Sequence, residues 1–264
     1  MKSSKPFLLT IIFIAVSISS FAWWGQNGHR IVGEIADNYL NSKARKAIRE
    51  ILGDESIAMT SNWADFIKSD STYNYLSPWH YINVKQGLSQ PEFNTVLQND
   101  TVTDAFTKLN FLITELKNKQ LPVEKKQMYL RLLIHIAGDI HQPLHVGRFE
   151  DLGGNRIRVL WFGDSTNLHS VWDDKMIESQ NLSYTEYARA INHSTKDQRK
   201  QWQEQSIAEW FFESYQLAGK VYSGVTQPNQ RLSFRYNFDY IGMLNSQLLK
   251  GGVRLAGLLN SIFG

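Results

Sequence analysis

Seven histidines and no cysteine define the chemistry open to this 264-residue chain. Without a thiol, disulfides, thiolate metal sites, cysteine nucleophiles and a lipid-modified N-terminal cysteine are all excluded. The histidines are grouped. His135 and Asp139 stand four residues apart, which places both side chains on one face of a helix. His145 follows just after Pro143, where that helix must already have ended. His169 and Asp173 repeat the His-x-x-x-Asp spacing after Asn167, a residue suited to cap a helix start. His29 lies five residues after Trp24, and Asp65 and His80 flank a polar stretch before the run Tyr81-Ile82-Asn83-Val84. Imidazole and carboxylate are the ligands expected for zinc when no thiolate is present. A carboxylate can also bridge two metals, so a His-x-x-x-Asp pair is a natural core for a multi-metal site. One such pair is more often a helix-surface interaction. A second pair, joined by a third histidine at a helix exit, strengthens the metal reading. Spacing alone goes no further.

The elements that must carry these residues are helical. Ile31, Val32, Ile35, Ala36, Tyr39 and Leu40 form one amphipathic stripe. Phe106, Leu109, Leu112 and Leu116 form another in a segment that Asp104 opens. From Val123 to about Ile140 the chain is nearly continuous in helix formers and apolar residues, which predicts a central, buried helix. Ser183 and Glu186 form a capping box for a helix through about Ile191. Gln205–Tyr222 and Phe238–Phe263 complete the set, the last with Gly251-Gly252 as a close-packing point or bend. Only Arg156–Trp161 alternates like a strand, after the Gly153-Gly154 turn, and predicts a small β-hairpin. No repeat, long linker or composition break divides the chain. The expectation is a mainly α, single-domain helical bundle over residues 23–264.

Composition agrees. Hydrophobic residues are 42% and charged residues 20%, as in a folded globular protein rather than a disordered or fibrous one. The net charge of +3 is too mild to argue for nucleic-acid binding by itself. Residues 1–22 read as a secretory signal peptide. Lys2 and Lys5 precede an apolar run from Pro6 to Ser19, and Ser20-Phe21-Ala22 offers small residues for cleavage. The run is shorter than the roughly 20 residues a membrane-spanning helix needs. Without Lys2 and Lys5, 26 basic residues face 25 acidic ones, so the mature chain is close to neutral. A secreted or periplasmic location is expected.

Several strings now stand in a telling order: Trp24-Gly25-x-x-Gly28-His29, Trp63-Ala64-Asp65, Trp79-His80-Tyr81 and His135-Ile136-Ala137-Gly138-Asp139. Gln142-Pro143-Leu144-His145, Gly153-Gly154-Asn155 and Asn167-Leu168-His169-Ser170-Val171-Trp172-Asp173 follow. Together they resemble the zinc-dependent, single-strand-specific class I nucleases of fungi and plants, a family with bacterial members. Gly252-Val253-Arg254-Leu255-Ala256 resembles that family's last helix, so nearly the whole mature chain is covered.

The resemblance implies a helical fold of the zinc phospholipase C and class I nuclease type, with three Zn²⁺ in a cleft. Asp65, His80, His135 and Asp139 would hold the first ion. His29, Asp139 and the amine and carbonyl of Trp24 would hold the second; His145, His169 and Asp173 would hold the third. His141 and His193 carry no family role and are read as structural or solvated. Asp65 could also orient the attacking water, and Lys68 stands where the family carries an arginine, placed to contact phosphate. Tyr81 matches the residue that stacks on a base, Asn83 stands where a carboxylate reads the base edge, and Asn155 would approach the nucleotide. The implied activity is endonucleolytic cleavage of single-stranded DNA and RNA to 5′-phosphate products, with 3′-nucleotidase activity. No obligate protein partner is implied, and a monomer is expected. Signal-peptidase cleavage after Ala22 leaves Trp23 first, and only removal of Trp23 would free the Trp24 amine. Two alternatives remain: a zinc-dependent phospholipase C on the same scaffold, and a non-catalytic zinc-binding relative.

Overall fold

A computed structural model describes residues 25–264, so the signal peptide read at 1–22 and the Trp24 ligand fall outside the described residues. The first helix, Gln26–Asn38, buries Ile31, Val32, Ile35 and Ala36, the stripe the spacing predicts. Ser42–Leu52 buries Ala44, Ile48 and Leu52 at four-residue steps. Asp104 caps Ala105–Leu116 by accepting from the Thr107 amide at 3.0 Å. The capping box of Ser183 and Glu186 opens Tyr184–Ile191 as predicted.

The central helix, Val123–Asp139, is buried on all sides from Leu132 onward. A helix enclosed in this way is a core element, and its enclosed end is the one that carries His135 and Asp139. The last helix runs unbroken for 30 residues, Phe234–Phe263, about 45 Å. Gly251-Gly252 does not bend it. A Cβ on Gly252 would lie 2.5 Å from Ile35, and one on Gly251 would lie 3.3 Å from the His141 ring. The glycines let the last helix press directly on the first.

The predicted strand is present as β3 in a wider arrangement. β1 (Ile82–Asn83) and β2 (Val146–Gly147) pair in parallel. β3 (Arg158–Trp161) turns through Phe162-Gly163 into antiparallel β4 (Asp164–Asn167), the expected hairpin. β5 (Gln230–Leu232) adds to β3 in parallel. Lys196–Glu204 is a helix that apolar periodicity could not reveal, because it buries no residue. The next helix begins at Ile207, after a capping box of Ser206 and Glu209, two residues later than the sequence pattern indicates.

Arg254 is fully buried in the last helix. Its guanidinium donates to His141 Nε2 at 3.0 Å, Gln205 Oε1 at 2.6 Å and Glu213 Oε2 at 2.6 Å. His141 Nδ1–H donates to the Ala137 carbonyl at 2.7 Å, so both ring nitrogens are used. Burial and the neighbouring Arg254 push its pKa down to about 3. His141 is structural, and His193 is exposed.

Two glycines of the last helix should respond oppositely to alanine. At Gly242 no atom lies within 4 Å, so Gly242→Ala gains helix propensity and stabilises by about 1 kcal/mol. At Gly252 the same gain is outweighed by overpacking against Ile35, and Gly252→Ala loses about 1–3 kcal/mol. Urea denaturation of both variants checks the sign of each.

Candidate metal centre

Asp139 closes the central helix fully buried, and four histidines surround it. Its Oδ2 lies 3.1 Å from His135 Nε2 and 2.9 Å from His80 Nδ1. Its Oδ1 lies 3.3 Å from His29 Nε2 and 3.5 Å from His145 Nδ1. Asp65 Oδ1 approaches His135 Nε2 at 3.5 Å, and the His29 ring stacks on His135 at 3.9 Å. Alongside, Asp173 Oδ2 lies 3.0 Å from His169 Nε2, and its Oδ1 3.5 Å from His145 Nε2. Among the described residues, three groups emerge whose donor atoms lie within 4.8 Å of one another: His29, Asp65 and His135; His80, His135 and Asp139; His145, His169 and Asp173.

The orientation of the rings favours metal. His135 Nδ1–H donates to the Ser61 carbonyl at 2.6 Å, His145 Nδ1–H to His80 O at 2.8 Å, and His169 Nδ1–H to Gly153 O at 2.7 Å. Each bond fixes the tautomer and turns Nε2 toward the carboxylates, as outer-shell partners of metal ligands do. A tetrahedral metal with bonds of about 2.0–2.1 Å holds its ligand atoms about 3.3 Å apart, and the separations here run from 2.9 to 3.5 Å. Asp139 Oδ1, His145 Nε2 and Asp173 Oδ2 are buried with no hydrogen bond of acceptable geometry. Buried polar atoms are normally satisfied, and a cation among them would supply what is missing. The donor set fits divalent metal ions.

Local structure explains how distant residues meet. The β1–β2 ladder joins the chain after His80 to the chain after His145. Asn167 caps the turn carrying His169 by accepting from the Ser170 amide at 2.7 Å, as its position predicts. Asp173 sits in a single π turn, Val171–Lys175, a distortion common at functional sites. Gly153 takes φ +61°, and its Cβ would fall 2.4 Å from the Leu144 carbonyl, so only glycine allows the turn that orients His169. A Cβ on Gly25 would lie 2.6 Å from Asp174 Cβ, and the Gly25 amide donates to Asp173 O at 2.8 Å. The start of the described chain is thereby held against this turn.

Lys68 is not an exposed helix lysine. Lys68 and Asp65 are both largely buried, and Nζ donates to Asp65 Oδ1 at 2.5 Å. Burial pushes the ammonium pKa down to about 8 against the pull of Asp65. Asp65 is held below the usual carboxylate range: burial raises it, but His135 and Lys68 outweigh that. Tyr81 is 40% exposed at the edge of a cavity of about 750 Å³ that Asn83, Asp104 and Phe149 also line. Ile82 between them is core, as expected. Asn155 is half-buried, and its amide donates to the Leu152 carbonyl at 2.9 Å, closing the turn. One residue had no role in the sequence reading. The buried Gln142 donates to Asp173 Oδ1 at 2.6 Å while its own oxygen accepts from the Leu144 amide at 2.5 Å. It lies in the Gln-Pro-Leu-His string, but no spacing rule singles it out.

Residues 24–264 match the S1/P1 nuclease family. The chain belongs to that family. It is 30% identical to Endonuclease 3 of Arabidopsis thaliana, over 99% of this chain and 96% of the relative. It is 30% identical to Nuclease S1 of Aspergillus oryzae, over 68% of this chain and 64% of the relative. Nuclease P1 of Penicillium citrinum is 27% identical, over 91% and 98% respectively. Membership makes the chain a nuclease, a hydrolase of phosphodiester bonds in nucleic acid, and favours that activity over the phospholipase alternative. The family is metal-dependent, in keeping with the His/Asp groups. Among the described residues no helix is long and apolar enough to cross a membrane.

The site predicts how the metal-free protein responds to pH. Burial lowers His80 to about 4 and His141 to about 3, so the unfolded chain binds more protons above those values. The stability these two histidines contribute therefore grows up to about pH 6.5, the ordinary histidine value, while Asp104 and Asp174, which burial raises to about 7 and 6, work the other way below pH 7. Burial also opposes charge on His145, but Asp139 and Asp173 prevail and raise it to about 9. Its contribution is complete below about 6.5 and is lost as pH climbs through 9. Urea melts in chelator should lose stability between about pH 7 and 8, and restoring metal should remove that decline, because metal takes the proton's place. A chelated protein that grows steadily more stable to pH 9.5 would contradict this assignment.

Proposed function

We propose that this chain is an exported nuclease that holds three Zn²⁺ and cleaves single-stranded DNA and RNA, leaving 5′-phosphates. We further assign it 3′-nucleotidase activity. The observation that carries the reading is the meeting of eight His and Asp side chains from separate elements, with ring orientations fixed by backbone carbonyls. Asp65, His80, His135 and Asp139 would hold one ion. His29 and Asp139, with the Trp24 amine and carbonyl, would hold a second. His145, His169 and Asp173 would hold a third. Zinc so bound lowers the pKa of water toward about 7 and neutralises charge on phosphoryl oxygens.

The remaining work falls to the chain's own groups. Asp65 carries one oxygen toward His135 and is held by the Lys68 ammonium, and its carboxylate would orient the attacking water. Lys68 would contact the phosphate as a point charge. Gln142 fixes the rotamer of Asp173 and occupies one of its oxygens. The half-exposed Tyr81 ring would stack on the base whose sugar bears the departing 3′ oxygen. Stacking of this kind selects single strands, because paired bases do not offer free faces to a side chain. Asn83 would read the base edge from the same cavity, and Asn155 would approach the nucleotide from its turn. The segment 1–22, read as a cleaved signal peptide, supports export to the periplasm or the medium.

Purified mature protein, stripped with chelator and reconstituted, tests this reading on 5′-labelled single-stranded DNA and its matched duplex. Zinc should restore cleavage with 5′-phosphate ends and leave the duplex largely intact. Asp65→Asn should lower kcat by about a hundredfold or more, the upper end of what outer-shell partners alone cost. A protein that binds three zinc ions yet cleaves no strand between pH 4 and 9 would exclude the reading and favour a non-catalytic zinc binder.

A further inference from the structure

Residues Ser71–His80 form a 3₁₀ helix of ten residues, well beyond the three or four usual for such pieces. With three residues per turn, side chains three apart lie directly above one another, about 6 Å per step. One edge carries Tyr73, Leu76 and Trp79 and faces inward, with Leu76 and Trp79 buried. A second edge carries Thr72, Tyr75 and Pro78 and continues to Tyr81 at the C-cap. This edge faces out: Tyr75 is 53% exposed and Tyr81 is 40% exposed. Pro78 and Tyr81 both line the cavity of about 750 Å³, and Tyr81 directly follows His80 in the chain.

The Tyr75 ring is held in place. It stands edge-on to Trp79, centroids 6.1 Å apart, and nearly parallel to Tyr73 at 6.5 Å. Lys108 Nζ lies 5.0 Å from the centroid of the same Trp79 ring that Tyr75 abuts.

We propose that the Tyr75–Pro78–Tyr81 edge is a stacking rail for single-stranded nucleic acid, extending the site beyond the nucleotide at the metal centre. The inference rests on Tyr81 being the base-stacking residue of the proposed nuclease. With one base on Tyr81, the strand continues over Pro78 and places a further base on Tyr75, and Lys108 attracts its phosphates. Aromatic stations with a flanking cation bind strands without regard to sequence, because every base has a π face. The step of about 6 Å is nearly twice the 3.4 Å rise of a stacked strand, so the rail suits an unstacked chain and not a duplex. A ring already immobilised by Tyr73 and Trp79 loses little freedom when a base settles on it.

The test compares zinc-loaded wild type, Tyr75→Ala, Tyr75→Leu and Tyr75→Trp on a ten-nucleotide strand and on a 3′-mononucleotide, which extends no further than Tyr81. In Tyr75→Ala the ratio of kcat/KM for the strand to that for the mononucleotide should fall about tenfold, mainly through KM. Tyr75→Trp should restore the ratio. Tyr75→Leu keeps apolar cover over Trp79 but removes the ring face, so it should behave as Tyr75→Ala and stands in if that variant folds poorly. An unchanged ratio in Tyr75→Ala or Tyr75→Leu, with wild type active on the strand, overturns the rail and leaves the proposed nuclease intact. Equal losses on both substrates also overturn it, since they would reflect general damage. Wild type inactive on both substrates would refute the proposed function, and the rail with it.

Discussion

A carboxylate buried where no solvent reaches must be neutralised by what surrounds it, and Asp139 is the position on which this structure turns. It lies at the end of the central helix, whose last turns are enclosed on every side, with His29, His80, His135 and His145 within 3.5 Å of its oxygens. Desolvation alone would raise its pKa, yet His135 and His145 hold it well below the usual carboxylate range. The cluster is costly to bury and is worth that cost only if cations complete it. Metal bound among these groups would add to stability. The chain has no cysteine and so no disulfide to share that burden.

Much of the remaining architecture holds this arrangement rigid. The last helix presses on the first through Gly252, which sets the helix that carries His29. Arg254 spans the interior from the last helix to His141, two residues past Asp139, and anchors the same helix end to Glu213 and Gln205. The β1–β2 ladder is only two residues long, yet it brings the segment of His80 to that of His145. On the opposite side of the centre, the Gly153 turn and the π turn at Val171–Lys175 aim His169 and Asp173. Metal sites tolerate little error in ligand position, and His135, His145 and His169 are each fixed by a backbone carbonyl behind the ring.

Much of this was legible in the chain. The helical stripes, the caps at Asp104, Asn167 and Ser183, the enclosed central helix and the hairpin follow from local periodicity and capping chemistry. What escaped includes Lys196–Glu204, polar but for Trp202, the strands β1, β2 and β5, too short for periodicity, and also the amphipathic helix Ser42–Leu52. The two His-x-x-x-Asp pairs fell on one helix face each because four residues make about one helical turn.

The sequence by itself determined which residues could bind metal and which pairs shared a face, since those depend on residue type and near-neighbour spacing. Only the tertiary structure decided that pairs 34 residues apart, starting at His135 and His169, close on one centre with His145 between them. It also decided that Gln142 steadies Asp173 and that Tyr75 shares an exposed edge with Tyr81. These are long-range contacts or unusual turn geometry. They are set by which surfaces the whole chain must bury together, and no local window of sequence contains that information.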